Sequence, residues 1–169
     1  MDTNKKTIQN VSIAIKKINP AAFVPSIAYQ NDAGCDIQAC LDKDIVLKPH
    51  SRSMIPCGFG MALPNGWEAQ IRPRSGNAIN LGLTVLNSPG TIDSGYRGEI
   101  KIILYNTSDK DIIIYHGMKI AQMVIGQIPL IHFYETDTLP KSERGEKGFG
   151  SSNKIPGKIS TYKIRDQTY

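Results

Sequence analysis

What most constrains this fold is a series of short strand-forming segments, none longer than eight residues, punctuated by Gly, Pro, Asn and Asp. They read VSIAI (11–15), DIVL (44–47), RSMIP (52–56), WEAQIR (67–72), EIKIILY (99–105), DIIIY (111–115) and AQMVIGQI (121–128). Turn formers such as NDAG, LPNG, NSPG and NTSDKD separate them. Little of the chain has the 3.6-residue period of a helix, and many short alternating strands predict an all-β sandwich or barrel. One short helix is expected over SGNAINLG (75–82), with Ser75 as its N-cap. Residues 90–100, GTIDSGYRGEI, read as a tight β-hairpin turning at Ser94-Gly95.

With 169 residues, 40% hydrophobic and 21% charged, the chain can bury one core without metal or disulfide staples. No apolar run approaches the length of a membrane span, and the N-terminal stretch MDTNKKTIQN lacks the character of a targeting peptide. Cys35, Cys40 and Cys57 match no zinc spacing and read as free thiols of a reducing, cytoplasmic setting. The net charge of +5 is unevenly placed. From Lys141 onward seven Lys or Arg stand against three acids, whereas the first 140 residues carry 13 against 12. A nearly neutral body argues against a nucleic-acid surface on the fold, while a basic tail suits a phosphate.

Composition changes near Pro140, giving a polar, Gly-rich, basic segment expected to be mobile in the free protein. The organisation expected is therefore a β domain over 1–140, a mobile glycine-rich motif over 141–152 and an extension over 153–169. A frayed terminus would have the same composition, but Arg144 and Phe149 in a Gly-rich strip make a clamp for a base and a phosphate. GEKGFGSS has P-loop glycine spacing, yet Ser151 stands where the essential Lys belongs, so that reading is rejected. His50, His116 and His132 stand alone and read as surface or capping residues.

Four polar pieces remain inside the β framework. DAGCDI sets Asp36 just after a tight turn, and RPRSG sets Arg72, Arg74 and Ser75 at a strand end. NSPGTIDSGY supplies Asn87, Asp93 and Tyr96, and GMKIAQMVI carries Gln122 in an apolar strand. Each has an ordinary structural explanation: Asp36 capping a turn, solvated arginines, or Gln122 satisfying a buried carbonyl. Phosphate seats are commonly made of such helix starts and turn nests.

Taken together, the pieces resemble the trimeric deoxyuridine triphosphate nucleotidohydrolase (dUTPase) family. Five motifs stand in order: DAGCDI (32–37), RPRSGNA (72–78), LNSPGTIDSGYRGEI (86–100), GMKIAQMVI (117–125) and RGEKGFGSS (144–152). The resemblance implies a jelly-roll-type β-barrel with one short helix and a flexible C-terminal arm. It implies hydrolysis of dUTP to dUMP and pyrophosphate with Mg²⁺, limiting uracil in DNA and supplying dUMP for thymidylate synthesis. A homotrimer whose sites are shared between chains is implied as well, with neither nucleic acid nor membrane as partner.

Residue by residue, the resemblance makes Asp93 the acid that activates the attacking water. Arg74, Ser75, the Gly76 amide and Gln122 match phosphate contacts. The backbone from Thr91 through Ile92 to Tyr96, with Asn87, would read uracil, and the Tyr96 ring would pack on the deoxyribose. Lys101 lies downstream, near the substrate. Arg144 would meet the γ-phosphate, Phe149 would stack on uracil, and Gly150 with Ser151 or Ser152 would contact phosphate. Asp36 would hold the water shell of Mg²⁺ or the nearby arginine. Two departures stand out: Lys147 where Gly is common, read as facing solvent, and Asn31-Asp32 where Gly-Ser is frequent.

A dCTP deaminase on the same fold would need a Glu at the position of Ile103, which an apolar side chain cannot replace. A non-catalytic nucleotide sensor would have no use for Asp93. Single-stranded nucleic-acid binding is disfavoured by the neutral body and the 7% aromatic content.

Overall fold

In the computed structural model, residues 10–147 are described. The strands are β1 (Ala14–Lys17), β2 (Ser26–Ile27), β3 (Gly34–Gln38), β4 (Ile45–Leu47), β5 (Arg52–Pro56) and β6 (Phe59–Ala62). After β7 (Trp67–Arg72) and the helix α1 (Ser75–Leu81) come β8 (Leu83–Val85) and β9 (Gly90–Asp93). β10 (Lys101–Asn106), β11 (Ile112–Ile114) and β12 (Lys119–Gln127) complete the set. The all-β expectation holds, with one short helix where the sequence placed it.

Alternation explains the strands. In β10, Ile102, Leu104 and Asn106 are buried while Lys101, Ile103 and Tyr105 turn outward. Ile102 and Leu104 join Ile37, Leu47, Ile55, Phe59, Leu83, Ile114 and Ile120 in the fully buried core. Each such side chain contributes roughly 1.5–3 kcal/mol relative to exposure. Asn106 is buried with them because its amide donates to the carbonyls of Leu47 (3.0 Å) and Lys110 (2.7 Å).

The strands form four sheets, in the orders β1-β6, β5-β10-β8, β11-β4 and β2-β3-β12-β7-β9. In the five-stranded sheet, Asp36, Gln122 and Arg72 stand level with one another, as do Cys35, Met123, Ile71 and Gly90. Ile71 and Met123 are buried, so the Asp36–Gln122–Arg72 row belongs to the opposite face.

Three expectations are corrected. Residues 90–100 are not a ladder-paired hairpin: β9 pairs with β7, whereas β10 pairs with β5 and β8. The turn is real, closed by Tyr96 N–H donating to the Asp93 carbonyl (3.0 Å), but it passes the chain between two sheets. Ser75 is the first helical residue rather than the N-cap. Arg74 caps α1 with an extended backbone (φ −89°, ψ 130°), and its carbonyl accepts the Ala78 N–H. Asp36 lies inside β3, four residues past the turn in which Asp32 N–H donates to the Tyr29 carbonyl. Strands β2, β3, β6, β8 and β9 carry Gly or are too short for alternation to register.

The chain divides into two compact units at Ile131/His132. The described part of the second, residues 132–147, contains no strand or helix. Among the described residues no helix is long and apolar enough to cross a membrane.

Candidate functional site

Two hollows in the first unit gather most of the expected residues. The first has a volume of about 290 Å³ and opens between β9 and β10, in the space a paired hairpin would have closed. Asn87, Thr91, Ile92, Asp93, Tyr96 and Lys101 all line it, against Ile71, Val85, Ile100 and Ile102. Gly90 admits Asn87, since a Cβ there would stand 3.1 Å from the Asn87 amide nitrogen. Among the described residues β9 is an edge strand in its sheet, so one side of its backbone has no neighbouring strand there. Asp93 is exposed at the strand's end, and the turn after it is tied by Arg97, which donates to the Ser94 carbonyl (2.6 Å) and the Tyr96 carbonyl (2.8 Å).

The second hollow, of about 450 Å³, is polar and lined by Ala28, Asp32, Ala33, Gly34, Asp36, Arg74, Ser75, Gly76 and Gln122. Arg74 Nε donates to Asp36 Oδ1 (2.9 Å), and Lys119 Nζ lies 2.6 Å from Asp36 Oδ2. Both carboxylate oxygens therefore face a cation. Burial would raise the Asp36 carboxyl, but Lys119 and Arg74 outweigh it and hold the group below its ordinary value. Gln122 Nε2 donates to the Pro73 carbonyl (2.9 Å), fixing the loop that delivers Arg74. Here the plain structural explanation of Gln122 is realised, beside its place in the hollow. A Cβ on Gly34 would run into Gln122 Oε1, so this glycine makes room for that side chain. Asn77, the buried residue of α1, donates to the Lys119 carbonyl (2.9 Å) and ties the helix to β12. Next to the cap, the first-turn amides of Ser75 and Gly76 have no intrahelical acceptor, as at any helix start.

The two hollows use opposite faces of one sheet. Ile71 and Ile92 turn to the core side and floor the first, while Asp36 and Gln122 turn the other way and floor the second.

Arg144 belongs to the second unit, is exposed, and donates from Nε to the Lys147 carbonyl (2.9 Å). Lys147 is exposed, as read from the sequence. Phe149, Gly150, Ser151, Ser152 and the extension 153–169 lie outside the described residues. Two of the three histidines are accounted for structurally: His116 Nδ1 accepts the Leu41 N–H, and His50 pairs with Asp109. Cys35, Cys40 and Cys57 are free thiols, and burial pushes Cys57 up to about 12.

Lys119 and Glu99 went unread in the sequence. Strict alternation would place Lys119 with Ala121 and Met123 on the core face, but the register shifts between Lys119 and Ala121 and Lys119 emerges exposed. Glu99 accepts the Gly58 N–H at 3.0 Å and faces Lys101 at 3.5 Å, anchoring one wall of the first hollow.

A family model described as dUTPase matches residues 21–153. The deoxyuridine 5'-triphosphate nucleotidohydrolase of Orientia tsutsugamushi (strain Ikeda) is 49% identical over 145 residues, covering 84% of this chain and 98% of that protein. The enzyme of the same name from Rickettsia typhi is 47% identical over 143 residues, covering 84% and 97%. Among solved structures, a mutant dUTPase of Staphylococcus bacteriophage 80alpha with dUpNHpp superposes with a TM-score of 0.75 at 27% identity, covering 83% of this chain and 98% of that one. A mutant dUTPase of phage phi11 of S. aureus, whose structure shows coordination of a structural Mg(II) ion, gives a TM-score of 0.70 at 21% identity, covering 77% and 99%.

Proposed function

The chain belongs to the dUTPase family of dUTP diphosphatases, and on that premise we propose that an Asp93-activated water attacks the α-phosphate of dUTP, releasing dUMP and pyrophosphate. The observation that carries this reading is the first hollow, where Asn87, Thr91, Ile92, Asp93, Tyr96 and Lys101 share one cavity of nucleoside size. The unpaired side of β9 offers N–H and C=O groups to the edge of uracil, with Asn87 adding its amide. Fixed donors and acceptors reject cytosine, which would leave them unmatched. The Tyr96 ring packs on the deoxyribose and refuses a 2′-hydroxyl.

The second hollow is the triphosphate seat. Arg74 spends its Nε on Asp36, which leaves the terminal guanidinium nitrogens for phosphate oxygens. Ser75 and the Gly76 amide add oriented donors, and Gln122 steadies the loop. Asp93 contributes by aiming one water in line with the scissile bond and taking up its proton.

The residues present fit Mg²⁺ in an indirect role. Among the described residues no cluster of three His, Cys, Asp or Glu gathers to bind a metal directly. With both Asp36 oxygens facing cations, that carboxylate would hold the ion through its water shell. When bound, Mg²⁺ neutralises charge on the triphosphate oxygens.

A homotrimer whose sites are shared between copies is part of the same proposal: hollows on opposite faces of one sheet suit a site completed by a neighbouring copy. On the family resemblance alone, Arg144 is assigned to the γ-phosphate, and Phe149, Gly150 and Ser151 to the base and phosphates. The three free thiols support a cytoplasmic setting. The product dUMP feeds thymidylate synthesis, and removal of dUTP keeps uracil out of DNA.

The test is a substrate panel with pyrophosphate detection. Pyrophosphate should appear rapidly with dUTP and Mg²⁺ and far more slowly with dCTP, dTTP or UTP. Ammonia released from dCTP, or equal rates across the panel, would contradict the proposal.

A further inference from the structure

The residue that meets the sugar in this reading rests on a glycine. A Cβ built on Gly98 would stand 2.5 Å from the Tyr96 Oη, 2.7 Å from Cζ and 3.1 Å from Cε2. The phenol therefore lies directly against the Gly98 Cα, closer than any side chain would permit. Its hydroxyl donates to the Glu99 carbonyl (3.0 Å), which locks the ring across the glycine. Gly98 is absent from the positive-φ positions of the chain, so its backbone does not itself demand glycine. The ring does.

A second glycine supports the seat from below. A Cβ on Gly60, in β6, would approach the Gly98 carbonyl to 3.1 Å and the Arg97 carbonyl to 3.2 Å. The 97–98 backbone thus settles on β6, and the neighbouring residue anchors it again, since the Glu99 carboxylate accepts the Gly58 N–H. Glu99 also faces Lys101, so one short segment fixes two pocket residues at once.

We propose that Gly98 is a specificity-positioning residue: by lacking a side chain, it sets how deep the Tyr96 ring sits at the pocket wall, and so how strictly a 2′-hydroxyl is refused. The inference rests on the reading of Tyr96 as the residue that packs on the deoxyribose. A methyl at position 98 meets the far end of the tyrosine side chain, which swings aside while the rest of the turn keeps its bonds. The displaced ring no longer fits the deoxyribose, and ribonucleotide and deoxyribonucleotide become more alike to the enzyme.

The experiment compares wild type, Gly98→Ala, Tyr96→Ala and the double variant, measuring kcat/KM for dUTP and for UTP with Mg²⁺. Gly98→Ala should reduce the dUTP-over-UTP preference by about 10-fold or more, within the range by which a pocket refuses an added hydroxyl. The same change made on Tyr96→Ala should add nothing, because the ring it displaces is gone. A purely structural role would lower both substrates equally and leave the preference intact, and that result overturns the proposal. So does an equal effect of Gly98→Ala with and without the tyrosine. If Tyr96→Ala itself leaves the preference unchanged, the sugar reading of Tyr96 falls and takes this inference with it. If Tyr96→Ala relaxes the preference and Gly98→Ala does not, Gly98 alone is wrongly assigned. Should Gly98→Ala fail to fold while the double variant folds, the ring contact is upheld; if neither folds, the glycine serves the fold and the proposal is lost.

Discussion

The two hollows on either face of the five-stranded sheet are built from different materials, which suits them to the different recognition tasks proposed for them. The one between β9 and β10 sets Asn87, Asp93, Glu99, Lys101 and a single tyrosine against an apolar floor, and under the proposed function it would discriminate chiefly by shape. The one around Asp36 is polar, held by an acid between Arg74 and Lys119, and would attract by charge. Shape can tell one base and sugar from another but holds a polyanion poorly. Charge holds a triphosphate but says little about which nucleoside carries it. A nucleotide-specific hydrolase needs both, and the residues proposed for the two tasks come from separate stretches of this chain.

The comparison is broken most severely by removing the group proposed to act on water. Asp93→Asn should cut turnover by about 10²–10⁴-fold, the range for a general base, while dUTP binding measured by calorimetry stays close to wild type. A variant that binds weakly instead would mean Asp93 holds substrate and does not act on water. The next test joins the hollows. Arg74→Gln should be nearly inactive alone, as should Asp93→Asn. Mixed, dissociated and reassembled together, the two should regain roughly a quarter of wild-type activity if each site draws its hollows from different copies. A mixture as inactive as its parts would place both hollows of a site on one chain.

Smaller effects sharpen the charged side. Lys119→Met leaves Asp36 to Arg74 alone and should raise KM for dUTP by about 10-fold with little change in kcat, because a tighter Asp36–Arg74 pair offers less cation to the phosphates. An altered kcat at constant KM would refute that role. The smallest effect is in stability. The Asp36 carboxyl sits below its ordinary value of 3.8, so its stabilisation is fully present above that pH and is lost as pH falls through the folded-state value. Asp36→Asn should therefore melt a few degrees below wild type at pH 7, with the gap closing progressively below about pH 4. A gap constant with pH would show that the ion pairs contribute nothing to the fold.

The sequence made the two regions unequally legible. Long alternating strands such as Trp67–Arg72 and Arg52–Pro56 were readable to the residue, because one buried face imposes a period of two. The site residues of the first hollow were readable as one stretch, yet its shape was not. Ser-Gly between strand formers signals a hairpin, and only the long-range register of β9 with β7 and β10 with β5 opens the arms. In the charged hollow, Asp36 and Arg74 are 38 residues apart, and nothing local announces their contact. Lys119 was hidden by a bulge that breaks the alternation, and Gly98 by the fact that its importance is a neighbour's ring. Local pattern carries the strands, whereas contacts that cross sheets need the fold.

The central claim concerns where water strikes. Turnover of dUTP in water enriched in oxygen-18, followed by mass spectrometry of both products, tests it directly. Attack at the α-phosphate places one labelled oxygen in dUMP and none in pyrophosphate. Label in pyrophosphate, with dUMP unlabelled, would mean that the bond is broken by attack at the β-phosphate and that Asp93 does not aim a water at the α-phosphate.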